Sequence, residues 1–136
     1  MPEDRRPRGL LDTSVLIDLD RLEPDLLPFE VAVSALTMAE LAAGPHATND
    51  PEERARRQDR LQRAEAAFDP LPFDSEASRA YGRVFAAVAA AGRKARRARA
   101  VDLLIAATAC AAGLPLYTRN PDDLRAIEDL VDVISI

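Results

Sequence analysis

Apolar residues along this chain recur at strand spacing and at helix spacing by turns. Gly9, Leu10 and Leu11 form an apolar run too short for a helix, closed by Asp12. Apolar positions then recur at Val15, Leu16 and Leu19, three and four apart, so a buried strand ends at Asp12 and a helix begins at once. Thr13 and Ser14 suit that helix start, because a hydroxyl there accepts from the first free backbone N–H groups. The pattern then repeats. Residues 30–33 read as a second short strand, and Ser34 caps a helix, L-T-M-A-E-L-A-A, that stops at Gly44-Pro45.

Farther on, residues 23–28 and 46–50 read as turn and loop. Residues 51–68 read as a highly charged helix with Leu61, Ala64 and Phe68 on one face, a solvated peripheral helix or a partner surface. Residues 71–73, bracketed by prolines, suit a short edge segment. Asp74 or Ser75 caps a helix with an apolar stripe of Ala77, Tyr81, Val84, Phe85 and Val88, ended by Gly92. Val101, Leu104, Ile105, Thr108 and Ala112 mark the strongest helix, stopped by Gly113. Residues 114–117 give a further strand, 121–127 a short helix, and 131–136 an alternating, half-buried last strand.

A length of 136 residues, 48% hydrophobic and 30% charged, suits one globular domain over 8–136. The charged stretch 1–7, with two prolines, is expected to be disordered. No apolar run approaches the roughly 20 residues of a membrane span, and the N-terminus lacks the apolar segment of a signal peptide, so a cytoplasmic protein is expected. Cys110 is the one cysteine, which excludes an internal disulfide and a cysteine metal cluster. A net charge of −5 argues against binding nucleic acid by overall charge. Arg93, Lys94, Arg96, Arg97 and Arg99 form the one dense basic patch without interleaved acids.

Strands that feed helices in an open α/β sheet place functional residues in the crevice at their carboxyl ends. Asp12, on the last residue of its strand, is a candidate ligand or catalytic acid there, or a helix N-cap. Glu40 lies inside its helix among small and apolar neighbours. Helical side chains lean toward the N-terminus, so it can reach the crevice that holds Asp12; the alternative is an exposed helix glutamate. Asp102 stands in the first turn of the strongest helix, where the helix dipole also favours an acid. After the strand at 114–117, Thr118, Asn120 and one of Asp122 or Asp123 look into the same crevice, although both acids also suit a first turn. His46, the only histidine, has no Ser, Cys or second His at a telling spacing. Gathered carboxylates repel unless a cation joins them, and Mg²⁺ or Mn²⁺ takes such oxygens while keeping waters for chemistry. Phosphodiester hydrolysis is the natural use of that arrangement.

Four motifs in order, L-L-D-T-S-V-L-I-D, T-M-A-E-L-A-A-G, A-V-D-L-L-I-A-A-T-A and Y-T-R-N-P-D-D-L, resemble the PIN-domain ribonucleases, in particular the VapC toxins of bacterial toxin–antitoxin pairs. The resemblance covers nearly the whole chain. It implies a three-layer α/β/α sandwich with a central parallel sheet of four to five strands. It also implies a Mg²⁺-dependent endoribonuclease, with Mn²⁺ able to substitute, that forms a homodimer and is inhibited by a VapB-type antitoxin. Carried over, Asp12 and Asp102 match the metal-binding aspartates and Glu40 the helix glutamate. At the fourth position this chain has Asn120, with Asp123 matching the acid of the commoner N-x-x-D-F and Leu124 replacing its Phe. Ser14, Thr118 and Asn120 would support the site, and Arg97 and Arg99 would contact RNA phosphates. Two alternatives stand beside this reading. One is a catalytically inactive PIN-like RNA-binding or scaffold module, against which a repelling acid cluster speaks. The other is a receiver-type signalling domain, which needs a lysine near its last strand where this chain has only Lys94.

Overall fold

The computed structural model describes residues 5–92 and 98–136. Four short strands, β1 (Arg8–Leu11), β2 (Glu30–Ala32), β3 (Leu116–Thr118) and β4 (Val133–Ser135), pair in parallel in the order β2-β1-β3-β4. The helices are α1 (Thr13–Ile17), α2 (Ala35–Ala43), α3 (Pro51–Ala67), α4 (Ser75–Ala91) and α5 (Ala100–Ala112). Alternation along the strands divides the core between two faces. Leu10 of β1 and Leu116 of β3 pack with Ala80, Val84, Ile105 and Ala109 of α4 and α5. Their neighbours Leu11 and Tyr117 point the other way, against Val15 of α1 and Leu22 and Leu27 of the turns that follow. The result is the expected three-layer α/β/α sandwich, with a third cluster of Leu16, Val33, Leu41 and Ala64 joining α1, α2 and α3.

β1 lies between β2 and β3, so the chain leaves β1 toward one side of the sheet and returns on the other. That reversal opens a crevice at the carboxyl ends of β1 and β3. A hydrogen bond from Asp12 N–H to Tyr117 O, 3.0 Å, ties those two ends together.

Several boundaries differ from the expectation. Leu114 N–H still bonds to Ala109 O, closing α5, which delays β3 by two residues. The segment Pro121–Ile127 winds as a 3₁₀ helix, and the N–H groups of Leu130 and Val131 bond to Ile127 O, so β4 starts only at Val133. Phe85, expected in the apolar stripe of α4, is 58% exposed, because Ala77, Ala80 and Val84 make the buried side. Arg5–Pro7, expected to be disordered, are tied down: the carbonyls of Arg6 and Pro7 accept from Phe29 and Glu30, and Arg5 stacks on the Phe29 ring at 4.3 Å. The rest of that stretch, 1–4, lies outside the described residues.

Candidate functional site

Asp12 is the residue where β1 becomes α1, and it serves both. Its Oδ1 caps the helix by accepting from Val15 N–H at 3.1 Å and from Ser14 Oγ at 2.6 Å. Ser14 thereby fixes the carboxylate's orientation, and Oδ2 is left without a hydrogen-bond partner among the described residues. Across the crevice, Thr118 ends β3, and its Oγ1 accepts from Asn120 N–H at 3.0 Å, which shapes the turn that brings Asn120 and Asp123 forward. Asp102 enters from a third direction, on the first turn of α5, and its Oδ2 accepts from the backbone N–H of Arg99 at 3.3 Å.

These segments enclose a cavity of about 300 Å³ lined by Asp12, Ser14, Arg99, Asp102, Thr118, Asn120, Asp123 and Leu124. Of the two acids that the sequence offers after β3, Asp123 is the one that faces it. Asp122, one residue earlier, turns to solvent and pairs with Arg125 at 2.6 Å. His46 sits in the 3₁₀ turn Gly44–Ala47, outside the lining. Of the two arginines expected near phosphate, Arg99 lines the cavity, whereas Arg97, with Arg93, Lys94 and Arg96, lies outside the described residues.

Glu40 reaches the edge of this cavity without lining it. Its own hollow is shared with Thr13, Ile17, Leu41, Gly44, Glu53, Arg57 and Arg60, so the charged helix α3 forms the far wall there. Arg99 connects the two spaces. Its Nη2 is 3.2 Å from Glu40 Oε2, and its Nε and Nη2 stand 3.2 and 3.0 Å from the two oxygens of Asp102. Asp102, and then Glu40 beside it, hold the guanidinium above its usual pKa.

The spacing of Ser34, Thr37 and Glu40 by threes put them on one face of α2, yet gave no sign of what they meet. Thr13 Oγ1 donates to Glu40 Oε1 at 2.6 Å and lies 3.1 Å from Thr37 Oγ1; Ser34 Oγ lies 3.3 Å from Thr37 Oγ1. Each hydroxyl has one proton, and Thr13 gives its own to Glu40. Thr37 therefore donates to Thr13 and Ser34 to Thr37, a one-way chain from β2's end to the Glu40 carboxylate. Buried side-chain polar atoms without a partner are absent among the described residues.

Hard oxygen donors are what the cavity offers: carboxylates, two hydroxyls and an amide, which suit a divalent cation such as Mg²⁺. Among the described residues no three acidic side chains stand close enough together to hold a metal ion. An ion here would take at most two carboxylates and complete its shell with water, as Mg²⁺ commonly does.

Comparison with known proteins agrees with the fold. The sequence profile described as PIN domain matches residues 9–130. Ribonuclease VapC5 of Mycobacterium tuberculosis is 37% identical over 128 residues, covering 92% of this chain and 91% of that protein. Ribonuclease VapC4 of the same organism is 37% identical over 132 residues, covering 95% and 97%. The crystal structure of VapBC-5 from Mycobacterium tuberculosis, a member of the VapBC family of toxin–antitoxin systems, superposes with a TM-score of 0.82 at 36% identity, covering 96% of this chain and 99% of that one. VapBC2 from Rickettsia felis shares the fold with a TM-score of 0.75 at 18% identity, over 95% of this chain and 98% of its own. By the profile over residues 9–130 and the two relatives at 37% identity, the chain belongs to the PIN domain family, among the VapC proteins.

Proposed function

We propose that the protein is a metal-dependent endoribonuclease, the toxin of a toxin–antitoxin pair, which cleaves cellular RNA and so inhibits translation and growth. The observation that carries this reading is the meeting of Asp12, Asp102 and Asp123, from three separate segments, around one cavity at the sheet's carboxyl edge. The relatives named ribonucleases support the activity, and the VapBC-5 complex supports a VapB-type antitoxin as partner. A homodimer working in the cytoplasm completes the proposal. No helix among the described residues is long and apolar enough to cross a membrane.

Asp12 and Asp102 would hold Mg²⁺, or Mn²⁺ in its place, with Asp12 offering the oxygen that the helix cap leaves free. When bound, such an ion lowers the pKa of a water and stabilises charge on the leaving oxygen. Ser14 keeps Asp12 in its orientation, and Asp123 and Glu40 orient water. Thr118 and Asn120 shape the floor, and Arg99 meets a flanking phosphate. The test incubates purified protein with RNA in Mg²⁺ and in EDTA, beside Asp12→Asn and Asp102→Asn. Each substitution, and chelation, should lower cleavage by about 100-fold or more, the scale on which one transition-state contact is lost. Cleavage that survives all three ends the metal proposal.

One observation favours the inactive RNA-binding module more than the sequence did. Arg99 already offsets the charge of Asp102 and Glu40, so these acids do not need a metal to coexist. RNA bound but uncut in the same experiment would select that reading. The receiver-type alternative is set aside by the family to which the chain belongs.

A further inference from the structure

Asp102 has both of its oxygens engaged by Arg99, Oδ1 by Nη2 and Oδ2 by Nε and the backbone N–H. The same Nη2 reaches Glu40 Oε2, whose carboxylate has its other oxygen on Thr13. A divalent cation binds carboxylate oxygens at about 2.0 to 2.1 Å. Placed on Asp102, it would press its charge against a guanidinium that already sits about 3 Å from both oxygens. Three of the carboxylate's roughly four lone-pair sites are taken, and the one left, on Oδ1, lies beside Nη2, so an ion there is repelled by the guanidinium unless the arginine withdraws. Arg99 is the one able to move, since its side chain is 62% exposed and hangs at the start of α5.

We propose that Arg99 is a built-in competitor of the metal: it occupies Asp102 and Glu40 in the metal-free protein and must swing away for the ion to bind. The inference rests on the metal-binding reading above. It assigns Arg99 a positioning role in the free protein, distinct from any contact with RNA. Once released, the guanidinium has a phosphate as its natural two-point partner. The latch is weak by design of its exposure, because pairs this open to water contribute little.

The test is calorimetric titration of the full chain with Mn²⁺ alone, with no RNA present. Arg99→Gln should bind Mn²⁺ about three- to tenfold more tightly than wild type, the scale of one or two exposed charge pairs. Arg99→Lys, which keeps the charge and loses the planar fork, should fall between. Arg119→Gln removes a positive charge beside the cavity that is paired with Asp18 at 3.2 Å and touches neither Asp102 nor Glu40 in the ion-pair geometry, so it should change the affinity less than twofold. In wild type, the Nε–H resonance of Arg99, assigned through the two Arg99 variants, should shift as Mg²⁺ is added. Equal affinity in wild type and Arg99→Gln, an equal gain in Arg119→Gln, or an Arg99 signal that stays put overturns the proposal. If wild type binds Mn²⁺ and Asp12→Asn does not, such a result overturns the Arg99 role alone. If neither wild type nor Arg99→Gln binds Mn²⁺, the metal-binding reading falls with it.

Discussion

Glu40 shows how a single side chain is aimed from a distance. Its carboxylate is the end of the hydroxyl chain from Ser34 through Thr37 to Thr13, and Thr13 follows Asp12 directly, so the two acids are positioned by adjacent residues of one turn. Thr13→Val keeps the shape and removes both a donor to Glu40 and an acceptor for Thr37. It should cost about 1 to 3 kcal/mol, the penalty for leaving buried polar groups unmatched, read as a lower urea midpoint with an unchanged slope. A midpoint equal to wild type would show that the chain holds nothing. At this scale the sequence was informative about residue types and poor on partners. Asp12 and Asp102 could be placed at a strand end and a helix start from spacing alone, whereas spacing left Asp122 and Asp123 open and only the family resemblance pointed to Asp123. What Arg99 touches could not be read, because a long side chain finds Glu40, fifty-nine positions earlier, only after α2 and α5 have packed.

Among the elements, β1 is tightly constrained, since like β3 it pairs on both edges and packs on both faces. Gly9 is its narrowest point. A Cβ there would collide with the Tyr117 ring of β3 and stand 3.2 Å from Pro28, so Gly9→Ala should destabilise by about 1 to 3 kcal/mol, as overpacking does. Gly82 gives the opposite sign. It lies exposed inside α4 with nothing within 4 Å of a Cβ, so Gly82→Ala should stabilise by about 0.5 to 1 kcal/mol. Thermal melts of the two variants check both signs, and a Gly9→Ala protein as stable as wild type would mean that Tyr117 can step aside. The existence and type of these elements could be read from periodicity and caps: Asp12, Ser34 and Asp74 each cap as their residue types suggest. The first residues of β3 and β4 could not, because Ala109 O and Ile127 O capture N–H groups that local pattern would assign to strands. The place of α3 was equally hidden. Its single buried residue, Ala64, says little about direction, whereas Arg54 and Arg57 fix it by donating to the carbonyls of Pro45 and Gly44.

For the molecule as a whole, the arginines of α3 are largely taken up within the fold. Arg56 and Arg57 pair with Glu53, and Arg63 pairs with Asp20 and Asp59. On the proposed function, an added cation would bind in the acidic cavity. An ion bound by the folded chain and not by the unfolded one stabilises the fold by mass action, about 2.7 kcal/mol at a hundred times its Kd. For a domain of this size that is a rise of several degrees in the melting temperature. Mn²⁺ should therefore raise the melting temperature of wild type. In Asp12→Asn it should not, although that variant without metal should melt close to wild type, because asparagine caps a helix about as well as aspartate. The comparison separates the two tasks of Asp12, since the cap uses Oδ1 and the metal would use the oxygen beside it. An equal Mn²⁺ shift in Asp12→Asn and wild type would place the ion elsewhere on the acidic surface and detach Asp12 from the chemistry.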